Sequence, residues 1–65
     1  MKRIKAMNQF YIYEASEKDS KKYNVDAGCF YIYFKEDIKN YGIALSDYEM
    51  EAGSVQEAID FIRSY

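Results

Sequence analysis

Apolar and polar positions alternate with a period of two early in the chain, where Phe10 and Ile12 are in phase between Tyr11 and Tyr13. Alternation of aromatic and β-branched residues predicts a strand, here from Ile4 to Glu14. The lysine-rich stretch Ser16 to Asn24 follows, and Ser16 with Asp19 has the form of a capping box, so this segment reads as a loop or a short helix. A second strand, Gly28 to Glu36, puts Phe30, Ile32 and Phe34 on one face and Cys29, Tyr31, Tyr33 and Lys35 on the other. Asp37 to Gly42 carries turn chemistry, since Asn40 and Gly42 both accept positive φ, and a third strand, Ile43 to Met50, closes a hairpin. Ile43 and Leu45 are in phase there while Tyr48 and Met50 have the opposite parity, which predicts a β-bulge near Ser46 and Asp47. Gly53 breaks that strand, Ser54-Val55-Gln56-Glu57 is a capping box, and Val55, Ala58, Ile59 and Ile62 recur at helical spacing, so residues 55 to 64 are predicted to be helix.

The expected fold is α+β, a three-stranded, mostly antiparallel sheet with the C-terminal helix packed on one face and a short helix as the alternative to a loop between strands one and two. Its core would comprise Phe10, Ile12, Phe30, Ile32, Phe34, Ile43, Leu45, Val55, Ala58, Ile59 and Ile62. Phe-Tyr-Ile-Tyr occurs at residues 10 to 13 and again at 30 to 33. A spacing of twenty residues is too short for a duplicated domain, so the repeat reads as two strands with the same structural task.

Length limits the fold to one domain, residues 1 to 65, in which a chain of this size buries only about 60% of the surface its unfolded form exposes. The lone Cys29 cannot close an intrachain disulfide, and the absence of histidine removes the usual structural zinc site. Stability must come from packing or association, for which 49% hydrophobic and 18% aromatic residues suffice. The longest apolar run, Cys29 to Phe34, is far short of the roughly 20 residues that span a bilayer, and an unpaired cysteine suits a cytoplasmic location.

Charge is unevenly spread. Residues 1 to 22 carry six Lys/Arg against three Asp/Glu, whereas residues 46 to 65 carry one against five, within a net charge of -2. The acidic end favours a basic partner surface. Without histidine the commonest general base and the triad arrangements are gone, so no catalytic residue, cofactor or metal site is predicted. Cys29 has no lysine, arginine or helix start beside it in sequence and reads as a structural thiol.

Two groups of residues are candidates for partner binding. Tyr11, Tyr13, Tyr31 and Tyr33 would cluster on the sheet face opposite the C-terminal helix, a face that is either an interaction surface or is covered by the 15 to 27 connection. Asp47, Glu49 and Glu51, at i, i+2 and i+4 on a continuous strand, would align three carboxylates about 6.6 to 7 Å apart. That spacing suits no single cation but does suit a strip that docks a Lys/Arg-rich partner.

Gly28 to Phe34 resembles the Gly-aromatic strand of an RNA-recognition motif, whose exposed rings stack on bases. Here Ala27 replaces the expected basic residue, tyrosines replace the small alternating residues, a fourth strand is not predicted, and a pI of 5.0 opposes phosphate binding. Gly53, Ser54, Glu57 and Ala58 resemble the Gly-[Ser/Thr]-x-x-Glu-Ala helix start of small antitoxin domains of the HicB type, without the proline-containing connection of that family. The expected function is a small non-catalytic protein-binding module, an inhibitor or antitoxin-like regulator of a larger protein of the phage or mobile-element kind. The alternatives are a structural homodimerisation domain and single-stranded nucleic-acid binding through the sheet aromatics.

Overall fold

The two Tyr-Ile-Tyr segments are neighbours at the centre of the fold. In the computed structural model, which describes residues 1–65, strands β2 (Phe10–Glu14) and β3 (Phe30–Phe34) run antiparallel with Phe10 opposite Phe34, Tyr11 opposite Tyr33, Ile12 opposite Ile32 and Tyr13 opposite Tyr31. Tyr-Ile-Tyr reads the same in both directions, so a register centred on Ile12 and Ile32 places each residue against its own kind. It also keeps Phe and Ile on one face and Tyr on the other.

The sheet has four strands, in the order β1-β2-β3-β4, where three were expected. The segment from Ile4 to Glu14 is a hairpin in which β1 (Lys2–Met7) turns at Asn8-Gln9 into β2, and Asn8 takes the left-handed conformation at φ 52. Asparagine tolerates that region better than other non-glycine residues. Pairing of β1 slips between Arg3 and Lys5, so the bulge of this sheet lies at Ile4 and not at Ser46 and Asp47. The two edges are a strand bearing Lys2, Arg3 and Lys5 and a strand of three residues, β4 (Met50–Ala52), both poor templates for edge-to-edge pairing.

Residues expected to form a turn and a third strand do something else. Lys35–Tyr41 is helix α2, which Gly42 ends at φ 75, and Ile43–Leu45 is a single 3₁₀ turn. Phe34 supplies no side-chain cap to α2, so the local signal for that helix is missing. Pairing with β3 resumes only at Met50. Leu45, assigned above to the core, is 81% exposed.

Both sheet faces are covered. On the Phe/Ile face lies α3 (Val55–Ser64), where Phe10, Ile12, Ile32, Ala52, Ala58 and Ile62 form the buried cluster and Phe30, Phe34 and Ile59 pack around it. Ser54 Oγ accepts from the Glu57 N–H at 3.1 Å, while the Glu57 carboxylate reaches past Ser54 to the Gly53 N–H at 3.3 Å. On the Tyr face lie α1 (Glu17–Tyr23), the following loop, Ile38 of α2 and Ile43, enclosing a second cluster of Tyr13, Ala15, Val25, Tyr31 and Tyr33. The segment 16 to 24 is therefore helix, closed by a reciprocal box between Ser16 and Asp19 and ended by Asn24 at φ 57. No helix is long and apolar enough to cross a membrane.

Candidate functional site

Each phenol of the covered Tyr face has its own polar environment. Tyr31, fully buried, accepts from the Asp26 N–H at 2.7 Å and donates to the carboxylate of Glu51, directly opposite it on β4. Burial, and then the bond to Glu51, push the Tyr31 hydroxyl well above the usual phenol range. Tyr13 accepts from the Arg3 guanidinium at 3.4 Å, and that bond raises the guanidinium further. The same guanidinium lies 3.7 Å from the centroid of Tyr11, and Lys35 Nζ is 5.6 Å from the same ring. Of the four candidate tyrosines, Tyr11 alone keeps substantial exposure; Tyr13, Tyr31 and Tyr33 are core residues, because the 16 to 28 segment and Ile43 fold over them.

The three strip carboxylates are not aligned, because regular β-structure begins only at Met50. Glu51 is tied to Tyr31, whereas Asp47 and Glu49 lie in the exposed link between Leu45 and β4. Glu51, Asp26 and Cys29 bring their oxygen and sulfur atoms within 4.8 Å of one another. These three are the residues that could hold a metal ion. Their electrostatics favour a protonated thiol, since burial and the carboxylates of Glu51 and Asp26 push Cys29 up, which opposes thiolate ligation.

The largest concavity lies where α1 ends against the 3₁₀ turn and the link that follows it. It encloses about 470 Å³, and its walls include Tyr23 and Lys22 of α1, Ile43, Asp47 and Tyr48, with Tyr33 of β3 among the buried residues that line it. The Tyr48 ring packs against Tyr31 at 4.7 Å and Tyr33 at 6.4 Å between centroids. Tyr33 is only 3% exposed, yet no protein atom pairs with its hydroxyl, which meets solvent in this cleft. Burial, with Tyr48, Tyr13 and Asp47 nearby, holds that hydroxyl neutral up to about 12. The lining thus combines the phenols of Tyr23, Tyr33 and Tyr48 with the Asp47 carboxylate and the Lys22 ammonium.

Compared with known families, curated proteins and solved structures, the chain matches no family model, no curated protein and no solved structure. Sequence reasoning missed Tyr23 and Tyr48 as cleft residues. The displaced parity of Tyr48 relative to Leu45 was the one available signal.

Proposed function

We propose that the protein is a small non-catalytic protein-binding module that engages a basic surface of a larger protein through the cleft and the acidic link beside it. The observation that carries this reading is the exposure of Leu45 (81%) and Tyr48 (43%) on either side of Asp47, in a chain with little apolar surface to spare. Exposed aromatic and aliphatic side chains ringed by charge are the composition of an interface centre. Asp47 and Glu49 supply complementarity to Lys/Arg-rich partners. An inhibitor or antitoxin-like regulator is the role such a compact acidic module would fill.

The test is affinity capture with the wild type beside the double variant Leu45→Asp/Tyr48→Ala, followed by calorimetric titration of the purified partner. A defined complex that is lost with the double variant and kept with Lys5→Ala, on the opposite edge strand, supports the reading. Equal recovery by wild type and a folded double variant removes this surface as the contact.

A further inference from the structure

The cleft has a chemical preference that follows from its walls. Its lining includes Tyr33, a buried side chain whose hydroxyl has no partner within the protein, together with Tyr48 and Tyr23. Aromatic rings attract cations through their quadrupole, most strongly when water is excluded. Lys22 already shows this attraction, since its Nζ lies 5.3 Å from the centroid of the Tyr23 ring. Asp47 completes the site. The single ion pair of the chain joins the Met1 ammonium to Asp19, so the Asp47 carboxylate lies beside the cleft without a lysine or arginine in ion-pairing range.

We propose that this cleft receives the cationic side chain, arginine or lysine, of a partner protein, its N–H donors shared between the Asp47 carboxylate and the unpartnered Tyr33 hydroxyl, beside Tyr48 and Tyr23. The inference rests on the binding-module reading and adds the chemistry of the anchor. A volume of about 470 Å³ is in the range of small-ligand clefts and has room for one long side chain. An anion is disfavoured because it would meet the Asp47 carboxylate, the one acidic group of the lining. Lys22 is then a competitor of the guest, a feature that separates this site from an anion site in which Lys22 would be the anchor.

The test uses the full chain and three capped tripeptides, Ac-Ala-Arg-Ala-NH2, Ac-Ala-Lys-Ala-NH2 and Ac-Ala-Glu-Ala-NH2, titrated into the ¹⁵N-labelled protein and read by amide shifts. One isolated side chain binds weakly, so saturation is expected only in the range of about 1 to 10 mM. The expected result is saturable shifts at residues 22 to 25 and 43 to 48 with the Arg or Lys peptide and none with the Glu peptide. Asp47→Asn, which removes a charge, and Tyr33→Phe, which removes an acceptor, should each weaken binding about threefold to tenfold, and Lys22→Gln should strengthen it. Asp47 and Lys22 are exposed, so those two substitutions leave folding intact. Absence of saturable shifts with both cationic peptides, equal binding of the Glu peptide, or weakening by Lys22→Gln would overturn the proposal. If Asp47→Asn and Tyr33→Phe leave capture of the protein partner unchanged while Leu45→Asp/Tyr48→Ala abolishes it, the cation site fails and the binding module stands.

Discussion

Tyr31→Phe isolates the polar tether between β3, β4 and the loop after α1. The ring is retained, so no cavity opens, and what is lost is one oxygen that accepts from the Asp26 N–H at 2.7 Å and donates to Glu51. A neutral hydrogen bond contributes about 0.5 to 1.5 kcal/mol and one to a charged group about 1.5 to 3 kcal/mol. Asp26 and Glu51 are both exposed residues that regain water when the hydroxyl is removed, so the sum is an upper limit and a loss of about 2 kcal/mol is expected. A chain of this length has a total stability of about 3 to 10 kcal/mol. The loss should therefore lower the melting temperature by about 8 to 16 °C.

The assay is urea unfolding at neutral pH, run as a double-mutant cycle with Glu51→Ala. If the tether is as described, Glu51→Ala is costly in the wild type and nearly neutral in the Tyr31→Phe background, with a coupling of about 1 kcal/mol or more. A Tyr31→Phe protein within about 0.5 kcal/mol of wild type, or the same cost for Glu51→Ala in both backgrounds, would refute it.

Alkaline pH should unfold the protein through the same face. Unfolded tyrosine ionises near about 10, whereas Tyr33 is held up to about 12 and Tyr31 is raised further, so the fold favours the neutral phenols. Their contribution is complete below about pH 10 and is lost as pH rises towards 12; the Cys29→Ser variant, which removes the raised thiol, should keep this loss when urea midpoints are measured across that window. At acid pH the sign reverses for Asp19, held at about 2 by the Ser16 N–H and the Met1 ammonium. Stability present above about pH 4 should fall as pH approaches 2, and Asp19→Asn should flatten that part of the profile. Ile32→Ala should cost about 2 to 5 kcal/mol, whereas Leu45→Ser should change stability by less than about 0.5 kcal/mol; thermal melts of the two decide between them.

The C-terminal helix was legible because its code is local and complete: a breaker at Gly53, a cap at Ser54 and Glu57, and an apolar stripe through Ala58 and Ile62. The β1–β2 turn was not, because Asn8-Gln9 lacks a glycine and β1 is an edge strand whose charged Lys2, Arg3 and Lys5 carry no alternation. Helix α2 was hidden for a different reason. It has no side-chain cap and a single apolar anchor, Ile38, and it is held by contact with the Tyr-side core, which no window of sequence contains. Leu45 followed Ile43 in a predicted strand; once residues 43 to 45 form a 3₁₀ turn, Ile43 packs on the sheet and Leu45 faces water.

Alternation alone could not separate an exposed Tyr face from a covered one, because tyrosine suits both. The cover over this face consists of two seven-residue helices and a loop. Beneath so thin a layer a long side chain with a polar tip fills the space and still reaches a polar partner at the margin. Tyr31 finds Asp26 and Glu51, and Tyr13 finds Arg3. Phenylalanine at those positions would fill the same volume but leave the Asp26 N–H without its hydroxyl partner and the Arg3 guanidinium without its acceptor. Tyr33 is the exception, as deeply buried as the others but with its hydroxyl met only by the cleft. Two of the three buried phenols are thus accounted for by the fold, and the remaining one marks where the second core opens to the cleft.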